Sequence, residues 1–119
     1  MKFIAPAAHR LLDYGTVIFF CVAPTLFRLT GRAAILCYAL SVVHLAMTVA
    51  THFPDHDRGL VPFRLHTLVE VIVGLSLIGV GLAVLPSAET FFITVGAVIL
   101  LVALCSAGPS QRPAGAFGG

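Results

Sequence analysis

Residues 65–85 read LHTLVEVIVGLSLIGVGLAVL, a run in which Glu70 is the one Asp, Glu, Lys or Arg. Such a run has the length that crosses a hydrocarbon core about 30 Å thick at about 1.5 Å per residue. Its apolar residues are continuous rather than alternating, unlike a barrel strand. Lipid offers no partner for a backbone N–H or C=O, so the run must satisfy those groups within itself, as a helix.

Three more runs of this kind flank it, at about residues 11–29, 33–53 and 91–107. The expected fold is all-α: four transmembrane helices in one domain over residues 1–107, followed by a flexible Gly- and Ala-rich tail at 108–119. Composition agrees. The chain of 119 residues is 59% hydrophobic and 10% charged, with a mean hydropathy of +1.05. A soluble domain carries about 25% charged residues. The net charge of +2 is small and its sources scattered, which argues against a nucleic-acid surface. Arg10 and Asp13 interrupt the first segment and no small-residue cleavage site follows it, so the first helix is expected to be retained. Cys21, Cys37 and Cys105 each stand alone in an apolar run and read as small buried side chains.

The connections are short where hairpins need them. Arg28 to Arg32 forms one polar turn, with Thr30 placed to cap the second helix. Pro86 to Glu89 forms another, with Ser87 placed to cap the fourth and Glu89 suited to its positive N-terminus. Connections this short make sequential helices antiparallel. The longest loop, residues 54–62, joins the two hairpins. Lys2, Arg10, Arg58, Arg64 and Arg112 fall on one side, and Arg28 and Arg32 on the other. The positive-inside rule then places both termini on the cytoplasmic side, and the expected location is the cytoplasmic (inner) membrane.

The hexamer His9-Arg10-Leu11-Leu12-Asp13-Tyr14 echoes His66-Thr67-Leu68-Val69-Glu70-Val71. Each opens one hairpin and follows a proline, Pro6 or Pro62, which points to a parallel internal repeat of two helical hairpins. With the His-x-x-x-Asp opening (His9, Asp13), this duplication and Ala23-Pro24-Thr25, the chain resembles the small bacterial SPW-repeat membrane proteins. It lacks their Ser-Pro-Trp signature: Ala23 and Thr25 replace Ser and Trp, and Gly81-Leu82-Ala83 stands at the second site. The resemblance implies two-helix hairpins in the membrane and brings no activity with it. Pro24 is expected to kink the first helix.

Ionisable side chains inside a bilayer are costly and usually face a bundle interior or wet cavity. Asp13, His44 and Glu70 fall roughly 5–12 Å below the cytoplasmic boundary by helical rise, a depth at which three helices can bring them into one pocket. His9 and His66 are expected nearer the water edge, each one turn before an acid. His44, Thr48 and either Thr51 or His52 share a helical face. The i,i+4 pairs His9–Asp13 and His66–Glu70 also admit a purely structural reading, as mutual neutralisation. As a ligand or proton site, Asp13, His44, Glu70, His9, His66 and His52 admit protonation, metal binding or, with paired axial histidines, haem; none of these is favoured by ligand spacing. His52 to Asp57 reads as a solvated polar loop.

No nucleophile elbow or phosphate-binding glycine loop is present, and Gly74, Gly79 and Gly81 lie in an apolar run where small residues permit close helix packing. The sequence therefore points away from an enzyme. It points to an accessory or self-associating membrane subunit, embedded in lipid, forming a homo-oligomer or joining a larger membrane complex. An oligomeric proton- or cation-coupled transporter is the alternative, and a metal- or haem-binding membrane protein the third reading.

Overall fold

The structure, a computed structural model, describes residues 4–52 and 59–106, with the side chain of His52 excepted. Its secondary structure is helical apart from two-residue strand segments and turns. The helices are α1 (Pro6–Leu26), α2 (Gly31–Ala50), α3 (Phe63–Ala83) and α4 (Glu89–Cys105). Three segments, Gly31–Ala50, Phe63–Ala83 and Pro86–Cys105, are long and apolar enough to cross a membrane. α1 carries His9, Arg10 and Asp13 in its first half, which dilutes its apolar character. The tail at 108–119 and the loop residues 53–58 lie outside the described residues.

The helices begin earlier than apolarity alone indicates, because polar residues open them. α1 starts at Pro6, whose fixed φ and missing N–H suit a first helical position. It ends at Leu26, so Pro24 lies inside the helix in its last turn. Arg28 then takes a left-handed φ of 55° and Gly31 one of 56°, reversing the chain within the expected polar turn. Thr30 is the N-cap of α2, but its side chain makes no capping bond. Ser87 lies within a 3₁₀ turn, Pro86–Ala88, and the N-cap of α4 is Ala88. Proline at the head of that turn displaces the cap by one residue.

α1 packs chiefly against α2, and α3 against α4. Ser41 Oγ of α2 donates to the Val17 carbonyl of α1 at 2.9 Å. Between α3 and α4, Gly74 faces Gly96 so closely that a Cβ on Gly96 would lie 2.6 Å from the Gly74 carbonyl oxygen. Gly81 meets the Glu89 carbonyl in the same way, whereas Gly79 has nothing within 4 Å of a built Cβ. The buried apolar core runs through Phe20, Cys37, Leu77, Phe92 and Ile99. Outward faces carry exposed Leu, Ile and Val, such as Leu11, Val42, Leu68 and Leu101.

At one end of the molecule, chain exits meet chain entrances. Thr51–His52, leaving α2, pairs in parallel with Val61–Pro62, entering α3. Ser106, leaving α4, makes a parallel bridge with Ile4, entering α1. These contacts draw the first turns of α1 and α3 against the last turns of α4 and α2.

Candidate functional site

The helical repeat places His9 and Asp13 on one face of α1, and His66 and Glu70 on one face of α3. Both faces turn inward beside the exit–entrance pairs. The four side chains are buried, with His9 and His66 fully so at 0% exposure. His9 lies in the first turn of α1 and His66 in the first turn of α3, both under the ring of Phe63. That ring meets His9 edge-on at 5.2 Å and stacks on His66 at 6.3 Å between centroids.

The imidazole and carboxylate groups interleave. His9 Nε2 lies 2.9 Å from Glu70 Oε2 and 3.3 Å from Asp13 Oδ1. His66 Nε2 lies 3.0 Å from Asp13 Oδ2 and 3.4 Å from Glu70 Oε1. Thus each histidine reaches the acid of the other helix more closely than its own i,i+4 partner. His44, on α2, joins from the side, its Nε2 3.3 Å from Asp13 Oδ1 and 3.7 Å from Glu70 Oε1. Of the six side chains singled out in the sequence, five converge; that of His52 lies outside the described residues.

Two hydroxyls fix the histidine rings. Thr51 Oγ1 donates to the Met47 carbonyl at 2.6 Å and lies 2.6 Å from His66 Nδ1. Ser106 Oγ donates to the Val102 carbonyl at 2.7 Å and also contacts His9 Nδ1. A hydroxyl has one proton; with that proton given to a carbonyl, it can only accept from the imidazole. Each Nδ1 therefore carries hydrogen, and each Nε2 is turned towards the carboxylates. Thr48, which shares the face of His44, is buried and donates to the His44 carbonyl at 2.8 Å.

Ser106 and Phe63 escape a reading of the sequence for ionisable residues. The signal for Ser106 is positional: like Thr51, it is the hydroxyl residue that ends an apolar helix. A haem between His9 and His66 does not fit, since their ring centroids are 5.5 Å apart and both carboxylates lie between the Nε2 atoms. Beside the cluster is a small cavity of about 80 Å³, reached by Asp13, His44 and Glu70 and walled by Leu12, Thr16 and Ile99 among others. Larger apolar grooves of about 410 and 520 Å³ continue from it along the seam between α1 and α4, past Phe19, Phe27 and Phe91.

No protein-family model matches the chain, and neither a curated protein nor a solved structure is detectably similar to it.

Proposed function

We infer that this chain is an integral membrane protein that crosses the bilayer four times and holds a cation in a chamber between its helices. One observation carries the reading. Two carboxylates from helices far apart in sequence, Asp13 and Glu70, are buried together with the imidazoles of His9 and His66, and the half-buried His44 reaches both acids. Desolvating one carboxylate already costs several kcal/mol, and two in one chamber repel each other unless positive charge is supplied between them. A link made only for stability needs one acid and one base; this chamber gathers two acids whose compensation must come from protons or a metal ion.

The architecture supports a duplicated hairpin. His9 and His66, Asp13 and Glu70, and Ile4 and Val61 are each separated by 57 positions. Each member of a pair has a corresponding role: a ring held by the hydroxyl of a helix exit, an acid one turn later, and an entrance strand. In this arrangement α1, though polar at its start, is the fourth span. Arg10 and Arg64 then lie at the end that holds the chamber, Arg28 and Arg32 at the other, which favours a cytoplasmic position for the chamber. The apolar exterior suits lipid, further copies of the chain or a larger membrane complex.

A second reading, as a structural clamp, is favoured by the ion pairs themselves, which tie α1 and α2 to α3. Thermal melting of the full chain in detergent separates the two. A bound cation stabilises the folded state in proportion to its occupancy. In a series of monovalent and divalent ions and of pH, the melting temperature is expected to rise with at least one cation and to lose that response in Glu70→Gln. A melting temperature that depends on pH but on no added ion sinks the cation reading and leaves the clamp, whose imidazole–carboxylate pairs titrate by themselves.

A further inference from the structure

We propose that the chamber binds one first-row divalent transition ion through His9 Nε2, Asp13, His66 Nε2 and Glu70, with a coordination position left open on the side of Ile99. This rests on the cation reading above and names the class of cation. Each of the four residues offers one donor atom, and these atoms all lie within 4.8 Å of one another. A metal with bonds of about 2.0–2.2 Å holds adjacent donors about 2.8–3.6 Å apart in tetrahedral or octahedral arrangements. The imidazole–carboxylate separations of 2.9–3.4 Å fall at that spacing.

The state of the carboxylate oxygens agrees with distance. Asp13 Oδ2 and Glu70 Oε2 are buried and accept no hydrogen bond, although each faces an imidazole nitrogen at 3.0 or 2.9 Å. Buried carboxylate oxygens left short of hydrogen bonds are open to a further positive charge. Both rings present Nε2 because Thr51 and Ser106 hold Nδ1, the outer support that metal-binding histidines require. His44 hydrogen-bonds Asp13 and steadies that carboxylate.

The donor chemistry selects the ion. Magnesium and calcium prefer all-oxygen surroundings, while imidazole with carboxylate suits manganese, iron, cobalt and zinc. Two carboxylates also neutralise a divalent ion, so the loaded chamber bears no net charge in a poorly polarisable medium.

The open position follows from an asymmetry. His44 stands seven residues before Thr51 on α2, and Ile99 stands seven before Ser106 on α4. Where α2 presents an imidazole, α4 presents an alkyl chain, and the cavity of about 80 Å³ touches both Ile99 and the two carboxylates. A small exogenous donor has room there.

The test uses the full chain in detergent, stripped by a chelator and titrated with Co²⁺. One Co²⁺ per chain is expected, with visible bands that shift on adding azide and persist in about a thousandfold excess of Mg²⁺. Glu70→Gln and His9→Gln should weaken binding by more than about 100-fold, beyond what loss of an outer hydrogen-bond partner gives. Ile99→His should keep the ion and abolish the azide shift. A folded wild-type chain that binds no Co²⁺, or yields it to Mg²⁺ at matched concentration, overturns the proposal. A wild-type spectrum that azide leaves unchanged overturns the open position. The wild-type titration decides the metal even if a variant does not fold. The broader cation reading falls only with the melting series, which also scores monovalent and hard ions.

Discussion

The Thr51 hydroxyl lies 2.6 Å from both the Met47 carbonyl and His66 Nδ1, so a residue that ends α2 sets the orientation of a ring on α3. Loop-proximal hydroxyls thereby control the buried chamber. Thr51→Val keeps the shape and removes the acceptor. Co²⁺ affinity should fall about 10–100-fold, the range seen when a ligand histidine loses its outer partner. Thr51→Ser should restore it. Equal affinity for Thr51→Val and wild type would show that the ring needs no such support.

The glycine pair between α3 and α4 predicts a sharp contrast. Ala at Gly96 would bring its Cβ within 2.6 Å of a backbone oxygen that cannot rotate away. Gly96→Ala should destabilise by about 1–3 kcal/mol, as overpacking does. Gly79→Ala meets nothing within 4 Å and should be neutral or gain up to about 1 kcal/mol of helix propensity. Reversible melting in detergent measures both, and equal responses would contradict the close approach.

Removing charge from the chamber should uncover its dependence on a cation. Asp13→Asn leaves His9, His44 and His66 around one remaining acid and should cost about 3–5 kcal/mol, as breaking a buried ion pair does. If a metal supplies the compensation, a chelator should lower the melting temperature of the wild type and leave that of Asp13→Asn unmoved.

Topology can be read from fusions. A fluorescent protein that folds only in the cytoplasm, attached after Gly119, should be bright. The same reporter inserted between Phe27 and Arg28 should be dark. A bright insertion would reverse the proposed orientation or remove α1 as a span.

The helical character of the chain was legible because apolar runs of this length have few other solutions, and residues 65–85 alone establish that class. Boundaries were less legible. Polar residues such as His9 and Arg10 hide the first turns of α1, and Ser87 looks like a cap until Pro86 imposes a 3₁₀ turn. The meeting of Asp13, His44 and Glu70 followed from depth along the helices. The full burial of His9 and His66 did not, because it depends on how exits pack against entrances. Ser106 was invisible as a partner for the same reason: its contact with His9 spans almost the whole sequence.

The Gly74–Gly96 contact also has a mechanical consequence. Backbones in van der Waals contact cannot slide without first separating, so α3 and α4 form one stiff strut. The seam between α1 and α4 is bordered instead by open grooves, with the rings of Phe19, Phe27 and Phe91 as its filling. Backbone contact is thus closest within the second hairpin. The carboxylates of Asp13 and Glu70 lie on opposite sides of the seam between the hairpins, so any widening of that seam would draw the two acids apart.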